Sequence, residues 1–304
     1  MVEASTAEAP PAGADYAGGA AAAGQGRGAP VQAWLRFFRS ELRLVFGRRR
    51  NQALLVVVAL FPLIIGIGLR LGDQGGNSGG PSVAFIGQLA GNGVFLSFIA
   101  LTLLLILVMP LAVAVVAGDS MAGEAGYGTL RSLLAVPAGR VRLLSVKYAT
   151  IVIFALVVTF MVAAVALATG AALFPIGPVT LLSGTTVPLA DAMLRLVFVS
   201  LYVAAAMATL GMIGLALSTL TEHAIGAIAA LAIVVVISEV IDNVPQFAAV
   251  HPYLPTHWWN SFDSLLRVPI DTGTLLRGLL SFAVYLLLFG SFTWARFTTA
   301  DVTS

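Results

Sequence analysis

The sequence predicts an all-α membrane protein with about six transmembrane helices. Two observations carry that expectation. Hydrophobic residues make up 59% of the 304, charged residues only 10%, and the mean hydropathy is +0.98. A soluble domain is roughly 45–50% apolar and about 25% charged, so so few charges could not cover a water-facing surface. Six apolar runs of about 20 residues, the length that crosses a hydrocarbon core as helix, are spaced along the chain. In lipid, only structures that pair all their own backbone groups survive.

Residues 1–30 form a tail rich in Ala, Gly and Pro, with Glu3, Glu8 and Asp15 as its acids. It holds too few apolar groups to offset the entropy of ordering, so it reads as a disordered segment ahead of a membrane domain over 31–304. No apolar core follows a basic start there, which argues against a secretory signal. Over 32–47, Leu35, Phe38, Leu42 and Val45 recur at helical spacing, with Arg36, Arg39 and Arg43 on another face. That pattern predicts an amphipathic helix lying in the membrane interface.

The spans follow at about 53–69, 94–117, 148–174, 194–217, 224–241 and 276–294. Pro62 and Pro110 fall inside the first two, where each removes a helical hydrogen bond and predicts a kink. In the fourth span, Ala204, Ala205, Ala208, Gly211 and Gly214 permit close helix packing. That packing could lie within one chain or at a dimer interface.

Basic residues set the expected orientation. Seven arginines precede the first span, Arg131, Arg140, Arg142 and Lys147 lie between the second and third, and Arg296 follows the sixth: twelve of the 16. Arg70, Arg195, Arg267 and Arg277 remain for the other side. Under the positive-inside rule both termini are cytoplasmic, in a cytoplasmic (inner) membrane. Arg195 and Arg277, near span ends, are placed to snorkel to headgroups. The sequence pI of 9.2 belongs to these flanking arginines. They build no continuous basic face, so nucleic-acid binding is a poor reading. The absence of cysteine excludes disulfides, thiolate catalysis and cysteine-ligated metals.

Between the second and third spans the chain runs Gly118-Asp119-Ser120, then Glu124, Gly128-Thr129-Leu130-Arg131-Ser132-Leu133-Leu134, Pro137 and Lys147. Thr129 is a possible cap, and Leu130, Leu133 and Leu134 make an apolar strip beside Arg131. Two readings fit such a helix on loop shape alone: docking into a groove of a soluble partner, or anchoring the loop in the membrane interface.

Glu124, Gly128-Thr129-Leu130, Pro137, Arg140 and Lys147, in that order, resemble the segment after the second helix in ABC-2 type permeases, the membrane subunits of bacterial ABC exporters. The segment around Arg39, Glu41 and Arg43 is similar to that family's connecting helix, and 242–277 to its long outer segment. The tail over 1–30 is where the likeness is thin. The resemblance implies a cytoplasmic coupling helix, with Glu124, Gly128, Thr129, Leu130, Arg131, Leu133 and Leu134 meeting a separate ATP-binding cassette subunit. It further implies a second permease chain, as homo- or heterodimer, and outward movement of a hydrophobic or amphipathic compound. No residue of the chain would then perform chemistry; ATP and Mg would be bound by the partner.

No G-x-x-x-x-G-K-[ST] phosphate loop occurs in the sequence, so an ATPase driving transport must be another polypeptide. Neither H-E-x-x-H nor G-x-S-x-G is present, which weakens an intramembrane enzyme. The rival is an ion-gradient-driven secondary transporter, which should show buried charge and an internal repeat. Glu239 and Asp242, three apart on one face near the outer end of the fifth span, are its candidate substrate-path residues, or else interface residues. His251 and His257, six apart across prolines, do not make a helical metal-ligand pair. Trp258 and Trp259 beside them suggest an outer segment resting at the membrane interface.

Overall fold

Backbone amides buried in hydrocarbon must pair within their own segment, and the apolar runs form helices for that reason. The computed structural model describes residues 29–74, 92–126 and 140–299. Helix α1 covers Ala29–Gly47, α2 Arg49–Gln74, α3 Phe95–Ile106, α4 Val108–Gly126 and α5 Arg140–Leu173. A two-stranded hairpin follows, β1 (Val179–Thr180) antiparallel to β2 (Thr186–Val187), with Val179 opposite Val187. Gly184, at φ +79°, supplies the left-handed turn between the strands. Helices α6 (Leu189–Ser218) and α7 (Ala224–Asp242) come next. Three 3-10 turns then occupy Pro245–Phe247, His251–Tyr253 and Trp259–Leu266, ahead of α8 (Thr272–Thr299). The tail expected over 1–30 lies, except for its last two residues, outside the described residues.

Five helices are long and apolar enough to cross a membrane, and α3 with α4, bent by 54°, make a sixth candidate. The bend has a local cause. Pro110 has no N–H, and its ring conflicts with the carbonyl of Ile106 four residues back. The helix stops at Ile106, and Leu107 leaves helical geometry at φ −146°, ψ −45°. Pro62, by contrast, sits within an α2 assigned as continuous helix.

The bent pair runs the full length of the bundle. At one end Gly93 lies against Gly170 of α5, so closely that a Cβ on Gly170 would stand 1.9 Å from the Gly93 carbonyl oxygen. There Asn92 donates from Nδ2 to the carbonyls of Gly177 and Pro178, at 3.1 and 2.9 Å. At the other end Asp119 meets Arg48 and Arg50, where α2 begins. The chain therefore runs through the bundle six times, with five helices and the bent pair as its candidate membrane spans. Helix α1, both ends bordering 127–139, the turn between α6 and α7 and the last turn of α8 all lie at one end, here called the α1 end.

Helix α6 is central: 78% of its apolar window is buried, against 11% for α8. Gly211 packs on Ile151 of α5, and Gly214 on Ala117 of α4 and Leu231 of α7. These two small residues of the fourth span serve contacts within the chain.

At the opposite end the segment between α7 and α8 folds back over the bundle, and two expectations change there, those for Trp259 and Arg195. Trp259 is 2% exposed and Phe262 0%, so Trp259 plugs the core and does not rest among headgroups. Trp258, half-buried, donates from its indole nitrogen to the Pro252 carbonyl at 3.0 Å. Arg195 donates to the backbone carbonyl of Leu265, and to that of Arg267 at 3.4 Å, pinning the returning segment to α6 where snorkelling had been expected.

Candidate coupling site at the α4–α5 end

The sequence placed the partner contact at Glu124, Gly128, Thr129, Leu130, Arg131, Leu133 and Leu134. Glu124 falls in the last turn of α4; its side chain and the other six residues lie outside the described residues. The structure does describe the two helix ends that carry this stretch, α4 closing at Gly126 and α5 opening at Arg140. Each is tied to the N-terminal part of the chain by charged side chains.

Helix α5 is tied by Lys147, whose Nζ donates to Glu41 Oε2 of α1 at 3.1 Å. Both side chains are nearly sealed, at 5% and 7% exposure. Removing two charges from water costs several kcal/mol each, and only a close pair offsets it. Val45 and Phe46 of α1 pack against the bundle core beyond Glu41. Phe46 meets Phe154 of α5 with ring centroids 5.9 Å apart. Leu35, expected on that apolar face, is instead 52% exposed.

Helix α4 is tied by Asp119, whose Oδ2 accepts from Arg48 and, at 2.9 Å, from Arg50. The carboxylate is mostly covered, at 10% exposure, while the arginines are 41% and 49% exposed. Pairs so exposed contribute about 0–1 kcal/mol each; their role is to fix direction.

The joint between α1 and α2 is itself held. The last carbonyls of a helix have no intrahelical donor. Asn51, 2% exposed, donates from Nδ2 to the Val45 carbonyl at 2.8 Å, and Gln52 from Nε2 to that of Phe46 at 2.9 Å. A small polar cavity of about 40 Å³ lies among these groups, bordered by Glu41, Arg48, Asn51, Asp119 and Lys147.

A third tie comes from α6. Ser218 Oγ accepts from the amides of Met121 and Ala122, at 3.0 and 2.9 Å, and donates to the Gly118 carbonyl at 2.8 Å. Gly118 allows α7 in, since a Cβ there would stand 2.7 Å from Ile228. One hydroxyl thus fastens the final turns of α4 to the end of the central helix. Sequence reading quoted Asp119 only as part of a run, and Ser218 not at all. The signal available was an acid just beyond an otherwise uncharged span.

Such an arrangement performs no chemistry. It joins the end of α4 to the start of α2 and the end of α6, and the start of α5 to α1, through ion pairs and hydrogen bonds.

The model of the ABC-2 family transporter protein matches residues 45–302. The chain belongs to the ABC-2 transporter family. It is a multi-pass ABC transporter permease, all-α as its sequence predicted, and its family implies an ATP-binding subunit as companion. No curated protein matches the permease individually.

The remaining candidates lie at the opposite end of this permease. Asp242 Oδ1 accepts from His257 Nδ1 at 2.6 Å, with His251 Nδ1 at 3.8 Å. His251 Nε2 is 3.2 Å from the Val244 carbonyl oxygen. Asp242 therefore fastens the returning segment to the end of α7, with half-buried Glu239 one turn before it. Among the described residues, no three His, Asp or Glu side chains are grouped to hold a metal. Nearby, burial pushes the Asp263 carboxyl above the usual carboxylate range, an effect the Arg267 charge opposes. Asp271 is held below it, first by the Thr274 hydroxyl and then by the Thr274 amide. Its Oδ1 accepts from the amides of Gly273 and Thr274, each at 3.1 Å, capping α8.

Proposed function

We propose that this permease exports a hydrophobic or amphipathic compound across the cytoplasmic membrane, driven by ATP bound and hydrolysed with Mg on a separate subunit. That subunit docks at 127–139, and two permease chains, identical or different, form the pathway. Both termini then face the cytoplasm, the side to which twelve of the 16 basic residues fall. The observation that carries the reading is the pair of ties on either side of the docking stretch, Asp119 to Arg48 and Arg50, and Lys147 to Glu41. Closure of the partner subunits tilts the docked helices. The tied body transmits this as a shift between inward-open and outward-open forms, driven by contacts that differ between the two states.

The test is copurification of the permease with its ATP-binding partner, followed by an ATPase assay, with Leu130→Asp and Glu124→Ala. Leu130→Asp should weaken partner retention by at least about tenfold, the scale of a buried interface anchor. Glu124→Ala should uncouple ATP hydrolysis from transport while leaving the complex assembled. A chain that purifies alone and transports under an ion gradient without nucleotide would make it a secondary transporter, and the proposal would fail.

A further inference from the structure

We propose that the arginine row of α1 is a binding site for the headgroups of anionic phospholipids. Arg36, Arg39, Ser40 and Arg43 stand at positions i, i+3, i+4 and i+7 and so share one face of the helix. All four are exposed, as is Leu44 beside them, so the row forms an open surface on one helix. Glu41 and Val45, four apart on the opposite face of α1, turn to the bundle, so the row is turned away from them.

Of the carboxylates described at this end, Glu41 is engaged by Lys147 and Asp119 by Arg48 and Arg50, and Glu222, in the turn between α6 and α7, is exposed. Among the described residues, none pairs with Arg36, Arg39 or Arg43. Three guanidinium groups in eight residues match the oxygens of a phosphodiester, which arginine can grip with two parallel hydrogen bonds; the Ser40 hydroxyl among them donates instead to the Phe37 carbonyl at 2.7 Å.

Position selects a lipid as the source of that phosphate. Helix α1 ends at Gly47 and spanning helix α2 starts at Arg49, so the row lies where the chain enters the bilayer. Leu35 and Leu44, 52% and 51% exposed, flank the arginines. Cations beside exposed leucines suit the boundary between phosphate and acyl chain better than a water-facing surface. The occupant is an anionic phospholipid of the leaflet that α1 borders, whichever leaflet that is, so the inference does not rest on the coupling reading.

The test uses the full chain in nanodiscs of phosphatidylcholine with increasing phosphatidylglycerol, reading retained phosphatidylglycerol by native mass spectrometry. Each arginine near an anionic membrane surface contributes enough to change apparent affinity about fivefold. R36Q, R39Q and R43Q singly should each show that loss, and the triple variant more. R36K/R39K/R43K, which keeps the charge, should retain most of the binding and lose it steeply with salt. Wild-type retention in the triple glutamine variant would overturn the proposal. So would unchanged lipid retention accompanied by loss of a copurifying ATP-binding subunit, which would make the row a protein-docking face.

Discussion

Glu41 and Lys147 concentrate the energetics of the α1 end. Each is buried, and each is tolerated because the other is 3.1 Å away. Replacing Lys147 by Met leaves the Glu41 carboxylate buried without that cation, and breaking a buried pair from one side costs about 3–5 kcal/mol. Lys147→Met should therefore lower the thermal unfolding midpoint sharply in detergent. The double variant Glu41→Leu/Lys147→Met should recover most of the loss, since a buried pair replaced by apolar groups is often neutral. Equal damage in single and double variants would mean that the charges do not act on each other. The two residues are legible in the sequence, Lys147 from the family motif and Glu41 from its place in the amphipathic helix. Their pairing is not. It joins positions 106 apart, and only the packing of α1 on α5 brings them together.

At the scale of elements, the spans were legible because hydropathy and length determine them. The bend between α3 and α4 was legible at Pro110, whose effect on the carbonyl four residues earlier is purely local. The segment over 243–271 was not. Its 3-10 turns have no sustained period, and the tryptophan pair reads as an interfacial belt, whereas Trp259 is 2% exposed within the protein. The docking stretch itself, legible by motif, falls outside the described residues, so the geometry speaks for its supports and not for its contacts. Close helix approach offers a direct check on the packing. Gly170→Ala sets a Cβ 1.9 Å from the Gly93 carbonyl oxygen, backbone against backbone, so α5 and the start of α3 must separate. Overpacking of this kind costs typically about 1–3 kcal/mol. Gly177→Ala meets nothing within 4 Å and should stay within about 0.5 kcal/mol of wild type. Thermal unfolding of the two variants side by side separates a clash from a general effect of added methyl groups.

The chain runs through the bundle six times and reverses direction five times, and that parity has a consequence for orientation. The bent pair reaches from Gly93 beside Gly170 to Asp119 beside Arg48, so it counts as one full pass and not as a re-entrant turn. With the pair counted as a pass, α1, 127–139 and the end of α8 share one side, and the β1–β2 hairpin faces the other. The basic residues concentrate at the first end, and the proposed orientation, which puts that end in the cytoplasm by the positive-inside rule, can be tested directly. The natural sequence contains no cysteine, so single cysteines report cleanly. Ser183→Cys, exposed beside Gly184 in the hairpin turn, should react with a membrane-impermeant maleimide in intact cells. Ser132→Cys, inside the docking stretch, should react only after permeabilisation. Ser82→Cys, between α2 and α3, should behave as Ser183→Cys does; its reacting from outside together with Ser132→Cys would show that α3 and α4 dip into the membrane and return, removing the coupling stretch from the nucleotide-bearing side. Reaction of Ser132→Cys alone from outside would keep six passes and invert them, so the docking reading fails in either case while only the first outcome breaks the fold's parity.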